Sequence, residues 1–375
     1  MKIGILTLPF NNNYGGYLQA YALMTVVRSL GHDVKLIYRR HNKPNGITYA
    51  TTYAVKSIVR SLISFRFYSP VYDPEKVFRS MGKNCMQFLD NRIVPKTEPI
   101  YTTNDLRINI VEQEYEVVIV GSDQVWRPEY VPNVTDFFLG FVPENVRRIA
   151  YAASFGTENP IYSDSEREEC GRLFTRFDAV GVRESAAMNI IERLGWHNSK
   201  SLQLVLDPTM LLSQEHYRML AASISVAAGN MMFCYILDPT DAMWQAIDTI
   251  ANNKKMVVNT VFSRYTRKHS CQPIPSVEQW IAGFRDAQFI VTDSFHGTVF
   301  SIIFHKPFAV ISNEGRGRSR FESLLFPLGL GERLISAISD LSVLVDRPID
   351  FQVVDRKLAQ KISASISFLR SAIED

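Results

Sequence analysis

The chain has 375 residues, of which 46% are hydrophobic and 21% charged, and its formal net charge is +3. A chain of this length exceeds what a single hydrophobic core usually covers, so we expect two domains. The small net charge does not indicate a nucleic-acid-binding protein, in which a concentrated basic face is expected.

The four cysteines are dispersed and form no CxxC pair. This pattern predicts neither a zinc site nor a disulfide framework, and it favours a reducing compartment. The apolar run at residues 3–8 is too short for a signal peptide. No run approaches the roughly 18 apolar residues of a membrane-spanning helix. We therefore expect a cytoplasmic protein.

The first 40 residues follow a strand–helix–strand pattern. Residues 2–8 form an apolar run, and residues 17–30 place apolar side chains on one helical face before Gly31. A second apolar run follows at 33–38. This βαβ unit predicts the start of a Rossmann-like domain, in which parallel strands alternate with helices.

The same alternation continues along the chain in two series. Further strands of the first series are predicted at 116–120, 149–153, 179–182 and 204–206. The second series begins at residue 231, and Ser276 with Gln279 predicts a capping box at the start of one of its helices. The sequence therefore predicts an α/β fold with two Rossmann-like domains facing a cleft.

We place the domain boundaries at residues 1–205 and 206–350. A final helix at 351–375 has no strand after it and is expected to pack back on the N-terminal domain.

Residues 42–110 interrupt the first series as an insertion. Within the insertion, apolar side chains fall at helical spacing at Val55, Ile58, Val59, Leu62 and Ile63. This helix at 55–63 is either a packed insertion helix or a basic amphipathic helix on an anionic membrane, which would place the protein at the inner membrane face.

A polar turn at residues 11–16 joins the first strand to the first helix. Backbone N–H groups of Asn13, Tyr14 and Gly15 could hold an anion there, because a helix N-terminus carries partial positive charge. The turn is not GxGxxG, and the second strand ends without an acidic residue to bind a ribose. We therefore expect no nicotinamide or flavin cofactor. The alternative is a simple tight turn.

The segment 121–128 follows another predicted strand. Asp123, Gln124, Trp126 and Arg127 combine a carboxylate, an amide, an indole and a guanidinium. A hydroxyl-rich ligand needs hydrogen-bond partners and an aromatic platform, so this combination is typical of a sugar-binding surface. The alternative is a turn in which Trp126 belongs to the core.

Arginines end one strand and populate a later loop. Arg183 ends an apolar strand, where a charge is costly unless it is paired or faces a ligand. Its guanidinium suits bidentate contacts to phosphate or carboxylate; the alternative is an ion pair with Glu184 or another acid. Arg316, Arg318 and Arg320 alternate with small residues and could enclose an anion; the alternative is a solvated basic loop.

The segment 289–298 is an apolar strand followed by a polar cluster that contains Asp293, Ser294 and His296. A second apolar run at helical spacing follows. Ligands of open α/β sheets bind at the carboxyl ends of the strands, where this cluster lies. His296 is suited to chemistry there because an imidazole titrates near neutral pH. The alternative is a polar turn between buried elements. No spacing of His, Cys, Asp and Glu predicts a metal site.

These segments resemble, in order, the motifs of the polysaccharide pyruvyl transferase family. The resemblance covers residues 2 to about 330, except for about 42–110. It rests on Asn13-Tyr14-Gly15-Gly16-Tyr17, Gly121-Ser122-Asp123-Gln124-Val125-Trp126, Ala153-Ser154-Phe155-Gly156, Val182-Arg183-Glu184-Ser185, Leu206-Asp207-Pro208-Thr209 and Thr292-Asp293-Ser294-Phe295-His296-Gly297.

The resemblance implies a glycosyltransferase-B-like arrangement, with the acceptor on the N-terminal domain and the donor on the C-terminal domain. It implies transfer of pyruvate from phosphoenolpyruvate to two hydroxyls of a sugar, as a ketal, in capsular, exopolysaccharide or cell-wall glycan synthesis. Phosphoenolpyruvate would be a co-substrate, without a further cofactor. The acceptor would be a sugar or a lipid-linked oligosaccharide.

The resemblance also implies roles for individual residues. His296 and Arg183 would contact the donor, with His296 at the leaving phosphate and a candidate acid. Asp123 or Asp293 would deprotonate the acceptor hydroxyl. Some members carry an arginine just before the motif histidine, whereas this chain has Phe295. The loop arginines at 316, 318 and 320 are the candidates to replace it.

Two other functions fit the same architecture. One is a glycosyltransferase that uses a nucleotide sugar. The other is a non-catalytic sugar-binding relative.

Overall fold

A computed structural model describes residues 1–42, 82–197, 202–225, 229–261, 274–312 and 317–375. The helix predicted at 55–63 and Arg316 lie outside the described residues. Two parallel sheets organise the rest of the chain, each flanked by helices. The predicted α/β architecture with two Rossmann-like domains is confirmed.

The N-terminal sheet comprises β1 (Lys2–Leu6), β2 (Asp33–Ile37), β3 (Val117–Val120), β4 (Arg147–Ala153), β5 (Ala179–Val182) and β6 (Leu202–Leu204). Their order across the sheet is β2-β1-β3-β4-β5-β6, and every pairing is parallel. The helices of this part are α1 (Tyr14–Ser29), α2 (Lys83–Arg92), α3 (Thr103–Gln113), α4 (Val134–Phe137), α5 (Asp164–Phe174) and α6 (Ser185–Arg193). Because helices cover both faces of such a sheet, its inner strands are continuous apolar runs, as in the fully buried β3.

The C-terminal sheet comprises β7 (Met231–Tyr235), β8 (Val257–Thr260), β9 (Phe289–Thr292), β10 (Phe308–Ile311) and β11 (Leu334–Ile335). Their order is β11-β10-β9-β7-β8, again with parallel pairings. The helices here are α7 (Gln214–Leu220), α8 (Asp241–Asn253), α9 (Val277–Asp286), α10 (Phe295–Ile303), α11 (Arg318–Leu328) and α12 (Leu341–Leu344).

Side-chain caps fix the start of two helices that bear on the site. The capping box of Ser276 and Gln279 is confirmed at the start of α9. The prediction that α1 begins at Tyr17 is wrong, because the helix already begins at Tyr14. The side chain of Asn13 accepts a hydrogen bond from the Gly15 N–H at 3.2 Å and caps the helix three residues earlier.

The last helix, α13 (Phe351–Glu374), packs on the N-terminal sheet with its second half. There Phe368 lies 6.3 Å from Tyr151 between ring centroids. The hydroxyl of Ser365 accepts a hydrogen bond from the Leu206 N–H at 3.0 Å. Its first half contacts the C-terminal domain, where His305 Nε2 lies 2.9 Å from Asp355 Oδ1. The helix therefore spans both domains. Among the described helices, none is long and apolar enough to cross a membrane.

Candidate active site

The two domains contact each other beside the points where the strand order of each sheet reverses. In the N-terminal sheet this point lies between β1 and β3, and in the C-terminal sheet between β7 and β9. Loops at the carboxyl ends of strands beside such a point form the ligand crevice of open α/β sheets. The β1 loop leads to Gly15 in the first turn of α1, and the β9 loop leads to His296 in the first turn of α10.

Gly15 and His296 touch across the domain interface. A Cβ at position 15 would lie less than 3.0 Å from Nδ1, Cγ and Cε1 of His296. The imidazole therefore occupies the space that a side chain at position 15 would need. His296 itself is 5% exposed. The sequence prediction placed Gly15 at a site through its backbone, and the structure adds a requirement for the absence of a side chain.

Asp207 contacts polar and charged groups of both domains, although the sequence predicted no role for it beyond its place in one motif of the family resemblance. Arg183 Nη1 donates to its Oδ2 at 3.1 Å, and the hydroxyl of Ser122 donates to the same oxygen at 2.9 Å. Nε2 of His296 lies 3.5 Å from that oxygen. The N–H and hydroxyl of Thr209 bind the other oxygen at 3.0 and 2.6 Å. Apart from that motif, the local signal was an aspartate at the end of a predicted short strand.

The pKa of Asp207 follows from these contacts. Burial alone would raise the pKa of the carboxyl, since Asp207 is 1% exposed. The charge of His296, followed by Arg183 and Thr209, outweighs burial and holds the pKa well below its usual range. Asp207 is therefore a carboxylate throughout the range in which an imidazole titrates.

Arg183 is buried among three carboxylates. Besides Asp207, its guanidinium lies 3.6 Å from Glu184 Oε2 and 3.7 Å from Asp123 Oδ1. Burial would lower the pKa of Arg183, but Glu184, Asp207 and Asp123 raise it, so the guanidinium stays charged. The ion pairs named as the alternative for Arg183 are therefore present, at the same place as His296.

Phe295 takes part in this cluster. The guanidinium carbon of Arg183 lies 4.4 Å from the centre of the Phe295 ring. A guanidinium at this distance from an aromatic face gains a cation–π attraction, which strengthens when water is excluded. Phe295 therefore provides no charge of its own but stacks against the buried guanidinium of the N-terminal domain.

Several polar atoms of this cluster are buried without a hydrogen-bond partner. They are Nε and Nη2 of Arg183, Oε2 of Glu184 and Nε2 of His296. Each of them faces another group of the cluster at 3.5–3.7 Å without hydrogen-bond geometry. Buried polar groups are normally hydrogen-bonded. At these positions the cluster is therefore held by charge pairs that are longer than hydrogen bonds.

A cavity of about 220 Å³ adjoins the cluster. Its polar lining consists of Arg183, Asp207, Ser323, Gln360, Lys361 and Ser365, and Phe295 is among its apolar residues. Lys361 comes from α13, so the last helix brings a cation to the same cavity as Arg183. No sequence pattern predicted this residue, because the contact depends on how α13 packs.

Asp123 and Gln124 lie on the β3 loop beside Arg183. Asp123 has φ of 84°, which is uncommon for a residue with a side chain. Its Oδ1 accepts a hydrogen bond from the Gln124 N–H at 3.0 Å. The amide oxygen of Gln124 accepts from Arg127 Nη1 at 3.1 Å, and its side chain packs on Gly156. Asp123 is therefore at the site, whereas the oxygen of Gln124 is already bonded.

Asp293 has a different surrounding from Asp123. Its two carboxylate oxygens accept hydrogen bonds from the backbone N–H groups of Leu237 and Asp238, at 2.6 and 2.8 Å. It ties the loop after β7 to the loop after β9 and so supports the turn that leads to His296. Of the two acids predicted as bases, Asp123 is the one beside Arg183.

The aromatic platform predicted at Trp126 is not at the surface. Trp126 is 0% exposed, its Nε1 donates to the Phe137 carbonyl at 3.1 Å, and it stacks on Phe138. The structure therefore corresponds to the alternative in which Trp126 belongs to the core. Trp126 is buried in the core because the segment turns inward directly after Asp123.

Tyr14 and Asn13 also act through packing and capping. The Tyr14 hydroxyl donates to the Pro275 carbonyl at 2.8 Å, and its ring stacks on Trp280 of the C-terminal domain. Tyr14 therefore binds the two domains together rather than presenting its side chain to a ligand. Ser294 likewise caps α10, where its hydroxyl accepts from the Gly297 N–H at 3.4 Å.

Arg318 and Arg320, predicted to lie in a loop, are in the first turn of α11, and their side chains separate in space. Arg318 Nε donates to Glu322 at 2.7 Å and Nη1 to Ser336 at 2.9 Å, and its side chain is 40% exposed. Arg320 is buried on the same turn. Neighbouring Gly317, at φ of 71°, approaches the Gly156 carbonyl of the N-terminal domain so closely that a Cβ would lie 2.9 Å from it. Arg320 is thus the arginine held at the interface.

No group of three or more His, Cys, Asp and Glu residues in the described ranges is arranged to hold a metal ion. The site therefore consists of the β3 and β5 loops, Asp207, and the first turns of α1 and α10. A model of the family described as polysaccharide pyruvyl transferase matches residues 13–315, which include all of these parts. The chain belongs to this family of transferases.

Solved structures share the fold at low identity. A Listeria monocytogenes protein described as a UDP-N-acetylglucosamine 2-epimerase aligns with a TM-score of 0.55 and 11% identity, over 100% of this chain and 97% of its own. The UDP-GlcNAc 2-epimerase of Neisseria meningitidis bound to UDP-GlcNAc aligns with a TM-score of 0.51 and 10% identity, over 99% and 94%. At this identity the likeness shows the two-domain fold alone. No significant match was found among curated proteins.

Proposed function

We propose that this transferase moves pyruvate from phosphoenolpyruvate to two hydroxyls of a sugar, as a ketal, in the synthesis of a capsular, exopolysaccharide or cell-wall glycan. The observation that carries the proposal is the buried cluster of Arg183, Asp207 and His296 at the domain interface. Membership of the family supports a glycan acceptor. We propose a sugar or a lipid-linked oligosaccharide in this role, with the protein in the cytoplasm, and at the inner membrane face if the carrier is a lipid.

The reaction balances without an oxidant. The methylene carbon of phosphoenolpyruvate gains one proton and becomes a methyl group. Both sugar oxygens form bonds to the neighbouring carbon, and the bond from that carbon to the phosphate oxygen breaks. Of the two hydroxyl protons released, one replaces the proton consumed at the methyl group and the other leaves with phosphate. The site therefore needs a proton donor, a base and positive charge at the leaving group.

The donor is a polyanion, and Arg183 alone does not offset it. Three carboxylates surround this guanidinium. Further positive charge is needed at the site, and His296 and Lys361 supply it in the proposal. In the proposal, an oxygen of the donor competes with Glu184 and Asp123 for Nε and Nη2 of Arg183, which lie 3.6 and 3.7 Å from those carboxylates. Arg320, at the interface, is the loop arginine proposed to complete the donor contacts.

The proposed base is Asp123, because its carboxylate lies at the cluster and is 5% exposed. Closure of the two domains around the reactants would exclude water, which strengthens every charge interaction inside. His296 would contact the leaving phosphate and act as the acid. The proposed route uses phosphoenolpyruvate as a co-substrate and no further cofactor.

Two measurements test the proposal. Phosphate release is measured with phosphoenolpyruvate and a panel of sugar and lipid-linked acceptors, and the product is checked by mass for an added pyruvate. His296→Ala should abolish release while leaving the melting temperature nearly unchanged. The matched control is His197→Ala, at an exposed histidine away from the cluster. Near-normal turnover in His296→Ala would overturn the assignment.

Thermal shift separates the competing functions. Phosphoenolpyruvate should raise the melting temperature of the wild-type protein. A rise with uridine diphosphate and none with phosphoenolpyruvate would favour the nucleotide-sugar glycosyltransferase. A rise with neither donor, but with an oligosaccharide, would favour the non-catalytic relative.

A further inference from the structure

Asp207 is held in place independently of His296. Thr209 saturates one carboxylate oxygen through its N–H and hydroxyl, and Ser122 and Arg183 bind the other. All four hydrogen bonds come from the N-terminal domain or from the turn that Asp207 itself begins. The imidazole of His296 is the group that arrives from the C-terminal domain, and it meets a carboxylate that is already fixed.

The orientation of the imidazole follows from its two neighbours. Nε2 faces Asp207 Oδ2 at 3.5 Å, whereas Nδ1 lies beside the first turn of α1 at Gly15. A neutral histidine whose one nitrogen faces a carboxylate keeps its proton on that side. In this site that nitrogen is Nε2.

We propose that Asp207 is a positioning residue that orients the imidazole of His296 and holds its proton on Nε2. The catalytic meaning of this role depends on the proposed function. The segment that contains Asp207 then takes part in the chemistry as well as joining the two sheets.

Asp207 is the charged group that faces the imidazole of His296. Arg183 lies on the same carboxylate oxygen and is itself offset by Asp123 and Glu184. The first turn of α1 contributes Gly15, which carries no charge, and Phe295 precedes His296 on its own helix. The depressed pKa of Asp207 is consistent with its pairing with His296.

The decisive experiment identifies which nitrogen of His296 carries the proton in the full-length protein. Histidine is labelled with ¹³C and ¹⁵N, and the His296 signals are assigned by their loss in His296→Asn. We expect the neutral imidazole to carry its proton on Nε2, which the ¹⁵N shifts of the two ring nitrogens report. A neutral imidazole protonated on Nδ1 would overturn the proposal without any variant at Asp207.

Asp207→Asn then removes the charge while keeping the shape. We expect part of the neutral imidazole of His296 to move its proton to Nδ1, because the carboxylate that held it on Nε2 is gone. Where phosphoenolpyruvate is turned over, kcat should fall about 100-fold, with KM for phosphoenolpyruvate changed less than about threefold. An unchanged proton position in folded Asp207→Asn would count against the proposal.

Asp136→Asn is the matched control. Asp136 is also a buried carboxylate paired with an arginine, Arg39 at 3.0 Å, but it lies away from His296. Asp136→Asn should lower stability and leave the proton of His296 on Nε2; an equal change of proton position in this variant would refute a specific role for Asp207. If the wild-type protein does not turn over phosphoenolpyruvate, the proposed function fails, while the proton position still decides whether Asp207 positions His296.

Discussion

Gly15 lies directly against the imidazole of His296, from the opposite domain. Any Cβ at position 15 would come closer than 3.0 Å to three ring atoms. The neighbouring Gly16 faces open space, with nothing within 4 Å of a built Cβ. The two glycines lie in the same helical turn, but the site excludes a side chain only at position 15.

Gly15→Ala should therefore inactivate the protein without unfolding it. The imidazole is the movable end of a side chain, so we expect the imidazole to shift and the helix to stay in place. A misplacement of ~1 Å can cost on the order of 100-fold in rate. We expect a loss of this size in phosphoenolpyruvate turnover, with a melting temperature within a few degrees of wild type. Turnover is measured by phosphate release.

Gly16→Ala controls for helix propensity, because the same substitution is made one residue along. Alanine is favoured over glycine by about 1 kcal/mol inside a helix, so this variant should be as stable as wild type or more stable, and active. Equal activities in the two variants would show that the contact with His296 is not required.

Local patterns in the sequence predicted the frame of this molecule but few of its long-range contacts. Strands such as β3 are continuous apolar runs, and Ser276 with Gln279 fixes a helix start within four residues. By contrast, the contact of Asp207 with His296 joins segments on different sheets, and no periodicity reports it. Trp126 illustrates the same limit, since an indole in a polar loop fits a ligand platform and a core residue equally well until the packing is known.

Asp123 and Asp293 can be told apart by isosteric substitution. Asp293→Asn should destabilise the fold by about 1–3 kcal/mol, because one of the two backbone N–H groups at Leu237 and Asp238 loses its acceptor. Asp123→Asn should keep the fold, since asparagine also tolerates positive φ, and should lower turnover at least ~10-fold. Urea unfolding and phosphate release measure the two effects. The reverse pattern, with Asp123→Asn active and folded Asp293→Asn inactive, would assign the base to Asp293.

Trp126→Ala should lose stability rather than affinity for a sugar. The side chain is fully buried against Phe138, so its truncation should cost about 3–5 kcal/mol in the free energy of unfolding. Trp126→Phe keeps most of the ring contacts but loses the hydrogen bond to the Phe137 carbonyl, so it should cost about 1 kcal/mol and stay active. Urea unfolding gives both values. A folded, stable Trp126→Ala with a raised KM for the acceptor would restore Trp126 as a sugar platform.

Lys361 provides the sharpest test of whether the last helix takes part in donor binding. Its side chain lines the cavity beside Arg183, and the donor is a polyanion, so Lys361→Met should raise KM for phosphoenolpyruvate about 10-fold with little change in kcat. The loss should shrink at high salt, because the lysine is partly exposed and its attraction to the donor is screened. Lys357→Met, one turn earlier on α13 and outside the cavity lining, should leave KM unchanged. Equal effects of the two substitutions would reduce the role of Lys361 to the general charge of the helix, and an unchanged KM in Lys361→Met would remove α13 from the donor site.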